Sequence, residues 1–170
     1  TQATRLWIRR IPKDLYPPLQ SSRPVGAIKL SGFESADQLK DVFEEFWNRA
    51  TKQEEVMEKL AKAEVIVRFD IEQPEAQITI DFKNPGPDGK VGQIFFEDAV
   101  EPEIKVWSKS ETTNKFWHGK LNTAVALARG QVKIQGPVSK AIGLVSKIKP
   151  LYAIWPEVLK DKGLDHMLLT

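Results

Sequence analysis

From Ser35 onward, apolar residues recur every three or four positions. Leu39, Val42, Phe43, Phe46, Trp47 and Ala50 form one helical stripe, with Asp41, Glu44, Glu45 and Asn48 mostly off it. Ser35-Ala36-Asp37-Gln38 is a capping-box signature, in which hydroxyl and amide satisfy the free N–H groups of a first turn. A second stripe of Val56, Met57, Leu60 and Ala61 either continues this helix or follows a bend near Thr51. The period then drops to two. Val65, Val67, Phe69 and Ile71 alternate with Ile66, Arg68, Asp70 and Glu72, and Ile78, Ile80 and Phe82 alternate with Thr79, Asp81 and Lys83. This pattern predicts two strands with one buried face, linked as a hairpin around Gln73-Pro74-Glu75. A turn cluster occupies 84–89, a third strand 92–96 and a fourth 103–108. Consecutive hairpins of this kind predict a sheet that is antiparallel in large part.

The rest of the chain reads as helix with one strand inserted. Thr112 or Thr113 can cap a short helix holding Phe116 and Trp117. Asn122 can cap another over 123–129, ended by Gly130. Residues 131–135 alternate as a fifth strand. Pro137 is placed to open a helix whose apolar side would include Val138, Ile142, Val145 and Ile148, with Pro150 as its end. Residues 151–155 and a turn over 156–162 form a hydrophobic tail. At the other end, Pro12, Pro17, Pro18 and Pro24 interrupt any long helix, so 1–33 reads as an irregular arm and 34–170 as the domain proper. The arm's basic and apolar piece, 5–11, either touches a membrane surface or partner or packs along the domain itself. The element pattern is therefore α+β: one mostly antiparallel sheet with one face covered by helices.

Composition narrows the chemistry. A chain of 170 residues suits one domain. The absence of Cys excludes disulfides, iron–sulfur clusters, Cys-based zinc sites and Cys nucleophiles, and agrees with a reducing, cytoplasmic compartment. Only two His, His118 and His166, are present, too few for a His-based metal site. A net charge of +2 makes no global case for nucleic acid, and the five Trp sit in apolar patterns rather than among arginines. No run of about 18 apolar residues is present, and the first ten residues lack a signal-peptide core. The missing initiator Met suggests processing or excision from a longer chain.

Catalytic signatures are sparse. Gly-x-Ser-x-Gly and His-Glu-x-x-His do not occur. The Gly-Lys pair at 89–90 lacks phosphate-loop spacing and reads as a hairpin loop. Glu44-Glu45 and Glu54-Glu55 are neighbours about 100° apart on a helix, so they do not converge on a substrate. His118 is either a polar contact or general base at a pocket mouth, or a locally hydrogen-bonded imidazole. Lys105, Lys109, Lys115, Lys120, Lys133, Lys140, Lys147 and Lys149 form either a basic rim for anionic lipid or an acidic partner, or ordinary solubility charge.

One segment is more specific. Gly119-Lys120-Leu121 opens a short helix that ends in Gly130-Gln131-Val132-Lys133-Ile134-Gln135-Gly136, a Gly-x-Φ-Lys-Φ-x-Gly run with apolar Φ, followed by an amphipathic helix. This resembles the sterol carrier protein family, the non-specific lipid-transfer domain. Motif similarity covers about 103–148, and the order of elements is compatible over 35–150. The family usually has Asp or Asn where Pro137 stands, and aromatics are common near Val125 and Leu127.

The resemblance implies a five-stranded sheet covered by helices, with an apolar tunnel between the layers. A sterol, fatty acid, acyl-CoA or phospholipid would occupy it, with no catalytic step and no cofactor. The implied walls are Phe43, Phe46, Trp47, Val106, Phe116, Trp117, Leu121, Val125, Ile142 and Trp155, with His118 or Lys120 at a polar head group. A lid role would fall to Leu151, Tyr152, Ile154 and Trp155. Burying an acyl chain gains on the order of 25 cal/mol per Å². A tunnel of ~400 Å³ would cost on the order of 10 kcal/mol in lost packing, so it favours relaxation, entry of water or a co-purifying lipid. The alternative is a non-catalytic interaction module or a subunit of a lipid-metabolising complex, with the arm as docking strap. An enzyme using His118 is the third reading.

Overall fold

A computed structural model describes residues 32–170. The arm expected over 1–33, with its basic piece at 5–11, lies outside the described residues except for Gly32 and Phe33. Phe33 is buried, edge-on to Trp155 at 6.1 Å.

The first helix, α1, spans Ala36–Ala50 and buries the whole predicted stripe from Leu39 to Ala50. Ser35 caps it, its hydroxyl accepting from Gln38 N–H at 3.1 Å. The Gln38 amide reaches back to Glu34 N–H at 2.9 Å, one residue before the position that a regular capping box satisfies. A turn at Thr51 separates α1 from α2, Glu54–Ala61, which buries Val56, Met57 and Leu60.

The strands are β1 Ile66–Glu72, β2 Ala76–Asp81, β3 Gln93–Phe95, β4 Ile104–Lys109 and β5 Val132–Gln135. Their order in the single sheet is β3-β2-β1-β4-β5. Three of the four pairings are antiparallel, and β1 with β4 is parallel. That parallel pair departs from a run of hairpins. After β3 at one edge, the chain passes β2 and β1 and enters the sheet on the far side of β1. Three strand spacings are roughly 14 Å, and the eight residues 96–103 reach up to about 26 Å, so the crossing is easily made. Asp98 in this connection pairs with Arg68 of β1 at 3.2 Å, and Glu103 N–H donates to Ile66 O at 3.0 Å.

The remaining helices are α3 Ser110–Trp117, α4 Thr123–Ala128, α5 Val138–Ile148 and α6 Ile154–Asp161, with 3-10 turns at Lys149–Ala153 and Asp165–Met167. Three expectations are corrected here. Neither Thr112 nor Thr113 caps α3: it starts at Ser110, and Thr113 Oγ1 instead donates to Lys109 O. The tail segment 156–162 is mostly helical, since Pro156 falls in the first turn of α6, where its missing N–H costs nothing. The buried side of α5 is Ala141, Leu144 and Ile148, whereas Val138 and Ile142 are 42% and 51% exposed. Asn122 does cap α4, accepting from Val125 N–H at 3.1 Å.

The core lies between the sheet's inner face and the helices. Its centre is aromatic: Phe46 meets Trp117 at 4.7 Å and Trp155 at 5.2 Å, Phe43 meets Trp155 at 5.1 Å, and the two indoles stack at 6.1 Å. Buried Asn114 satisfies two groups of this core, accepting from Trp155 Nε1–H and donating to Met167 O, both at 2.8 Å.

Candidate functional site

The period-two strands place Val67 and Phe69 of β1, Ile80 of β2, Val106 and Ser108 of β4, and Val132 and Ile134 of β5 on the inner face. Helices do not fill all the space above them. A cavity of about 90 Å³ remains, bounded by Trp47 of α1, Leu60 of α2, Thr112, Thr113, Phe116 and Trp117 of α3, Leu121 and Thr123 at the start of α4, and Ala141, Leu144, Val145 and Ile148 of α5. Phe82 completes the wall. Apart from the four hydroxyls and the indole N–H groups of Trp47 and Trp117, of which that of Trp47 donates to Gly92 O, the lining is hydrocarbon. Thr113 Oγ1–H donates to Lys109 O at 3.2 Å and the oxygen accepts from Ser108 Oγ–H at 2.9 Å, which leaves Thr112 and Thr123 as the wall's other two hydroxyls. A chamber with this lining accepts apolar matter and offers water few partners.

The ~400 Å³ expected from sequence is much larger than what the folded chain leaves. At the measured void penalty, 90 Å³ forgoes about 2 kcal/mol of packing, a modest fraction of a domain's stability of ~5–15 kcal/mol. The difference arises because α5 lies with Leu144 and Ile148 turned down onto the sheet.

Of the expected wall residues, Trp47, Val106, Phe116, Trp117 and Leu121 line this cavity. Phe43, Phe46 and Trp155 are fully buried in the aromatic core and do not reach it. Val125 and Ile142 are exposed on α4 and α5. Leu151 of the expected lid is core as well. Apart from Val106, sequence reasoning missed the sheet's contribution: Val67, Phe69, Ile80, Val132 and Ile134 were legible as inward-facing by their alternation, which was the available signal. The residues of α5 were missed because two apolar stripes run along that helix, and spacing does not say which one faces the sheet.

Two glycines of the 130–136 segment shape the cavity's edge. Gly130 ends α4 at φ 68°. Gly136 has φ 104°, and a Cβ there would stand 2.2 Å from Glu103 O, so only glycine lets the end of β5 lie against β4 before α5 begins.

His118 and Lys120 do not line the cavity. Lys120 is exposed in the loop beside Leu121. His118 closes α3: its Nδ1–H donates to Asn114 O at 2.8 Å, and its Nε2 accepts from Leu169 N–H at 3.4 Å. That pair of bonds needs the neutral ring. Burial lowers its pKa below the ordinary 6.5, helped by the charge of Lys120 and opposed by the bond to Asn114. A depressed pKa means that the unfolded chain binds the proton more readily. The stabilisation is then complete above about pH 6.5 and is lost as pH falls through the folded value. Melting temperature should drop from about pH 7 to pH 5.5 more steeply in the wild type than in His118→Gln. Parallel curves for the two proteins would show that the imidazole carries no such linkage.

Among the described residues, no three His, Cys, Asp or Glu side chains converge as a metal site, and no helix is long and apolar enough to cross a membrane.

Comparison with known proteins places this architecture. The model of the SCP-2 sterol transfer family matches residues 43–149. No curated protein sequence matches the chain. Among solved structures, Sterol Carrier Protein 2 from Yarrowia lipolytica in its apo form has a TM-score of 0.51 and 19% identity, covering 66% of this chain and 90% of its own. The solution structure of sterol carrier protein domain 2 of Helicoverpa armigera has a TM-score of 0.51 and 22% identity, covering 67% and 87%. At these identities the likeness is one of fold.

Proposed function

This chain belongs to the SCP-2 sterol transfer family, and from that premise we propose that it carries a single-chain lipid, a fatty acid or its acyl-CoA ester, in the cavity between sheet and helices, without a catalytic step. The hydrocarbon lining of that cavity is the observation that carries the reading. Transfer of apolar surface from water supplies the affinity, and few polar groups are needed. The narrow chamber favours a flexible acyl chain over a rigid sterol, because a chain can thread between Phe116, Leu144 and Ile134 one methylene at a time. Ligand pockets for molecules of this size usually measure ~300–1,000 Å³, so α5 must move away from the sheet as the chain enters. Thr112 and Thr123 supply the polar contact within the wall, and Lys120, beside Leu121, is placed for an anionic head group.

The test is uptake. A fluorescent fatty acid should bind saturably and be displaced by palmitate or its CoA ester better than by cholesterol. At a ligand concentration of ~100 Kd, linkage contributes about 2.7 kcal/mol, which raises the melting temperature of a domain this size by roughly 5–10 °C. Native mass spectrometry of gently purified protein should show a lipid adduct. No adduct, no uptake and no thermal shift with any of the three lipids would leave an interaction module with the same fold.

A further inference from the structure

Charge along this chain is unevenly distributed. Residues 112–156 contain seven Lys or Arg and no Asp or Glu, although the whole chain is nearly balanced. Lys115 is paired with Glu111. Among the described residues the other six, Lys120, Arg129, Lys133, Lys140, Lys147 and Lys149, enter no ion pair with a carboxylate. All of them but half-exposed Lys147 are exposed. Among the described residues, the large hydrophobic side chains that stand out into solvent are found in the same stretch: Val125 on α4, and Val138 and Ile142 one turn apart on α5. Both helices pack against β5, the edge strand of the sheet. Neighbouring carboxylates do not cancel this field. Glu103, whose carbonyl abuts Gly136, is held by Lys83, and Glu55 of the adjoining α2 is held by Lys59, leaving Glu54 and Glu58 as its acidic border.

We propose that the α4–β5–α5 edge is a docking surface for an anionic lipid bilayer. Unpaired cations are drawn to the negative surface potential of such a membrane, and aliphatic side chains then enter the boundary between head groups and acyl chains. Val and Ile suit that layer, whereas bases would be held by exposed aromatic faces, and the large apolar side chains exposed on this edge are all aliphatic. The same elements roof the cavity. Ala141, Leu144 and Ile148 look inward from α5 while Val138 and Ile142 look outward, so a bilayer holding the outer stripe would draw α5 off the sheet where a lipid must pass. This last step rests on the carrier reading; the docking itself does not.

Sedimentation with vesicles tests it, using phosphatidylcholine alone and phosphatidylcholine with about 30% phosphatidylserine at about 0.1 M salt. The wild type should partition onto the anionic vesicles only, and salt near 1 M should release it. Each basic residue near the surface contributes roughly fivefold, so Lys133→Glu with Lys140→Glu should lower partitioning at least tenfold. Val138→Ser should lower it roughly fivefold by removing apolar contact. These positions are exposed, so both variants should keep the wild-type melting temperature and fatty-acid affinity. Equal partitioning of wild type and variants, or indifference to phosphatidylserine, would overturn the proposal. So would binding of a single-stranded oligonucleotide that the charge reversals abolish while Val138→Ser and the vesicles have no effect. Vesicle binding without fatty-acid uptake would remove the carrier reading and keep the docking surface; uptake without vesicle binding would do the reverse.

Discussion

Trp155→Ala should cost this domain about 3–5 kcal/mol, a large share of the ~5–15 kcal/mol that holds a domain together. The indole is fully buried among Phe33, Phe43, Phe46 and Trp117. Four aromatic contacts are lost at once, and a void opens that rigid rings cannot collapse to fill. The substitution also leaves Asn114 Oδ1 without the N–H that it accepts. Denaturant titration should show a lower midpoint with an unchanged slope. Trp155→Phe keeps most of the ring and should lose about half as much, chiefly the hydrogen bond and the second ring's packing. A midpoint within experimental error of the wild type for Trp155→Ala would mean that the aromatic core is not the centre of stability. Because Trp155 stands behind Trp117 and away from the cavity, the Phe variant should retain lipid affinity.

The opposite profile is expected for Ala141→Phe. Ala141 sits on the inward side of α5 against the cavity, and a benzyl group there takes up the space that the chain leaves. Free protein should keep its melting temperature or gain slightly, since filling a cavity restores contacts. Lipid must then displace the ring or share the space with it, and overpacking typically costs 1–3 kcal/mol. That corresponds to about a 5- to 150-fold loss of fatty-acid affinity. Fluorescent fatty-acid titration beside thermal melts separates the two effects. Unchanged affinity with intact folding would show that the lipid binds elsewhere. The two substitutions thus divide the interior into a part that holds the fold and a part that receives a guest, with Trp117 belonging to both.

Much of this was visible in one dimension. Spacing located α1, α2 and the strands, Ser35 and Asn122 marked helix starts, and Gly130 marked the end of α4. The run from Gly130 to Gly136 carried the family resemblance that the family match bears out. Each of these features is local: a cap, a period or a positive φ acts within a few residues, so the residues that cause it adjoin it in sequence. The site was half legible. Of the residues expected in the wall, Trp47, Val106, Phe116, Trp117 and Leu121 line the cavity, whereas Phe43, Phe46 and Trp155 have the same hydrophobicity and lie in the core instead.

Sequence by itself therefore determined most of the segments that become helix or strand, with α6 the exception, which strand residues share a face, and where positive charge gathers. Tertiary structure alone decided that β4 joins the far side of β1, that α5 turns Leu144 and Ile148 inward and Val138 and Ile142 outward, and that the interior keeps about 90 Å³. The reason is that a hydrophobic period states that a face will be buried without stating against what. Partner and rotation are set by how distant surfaces pack together, and the cavity is what that packing leaves over.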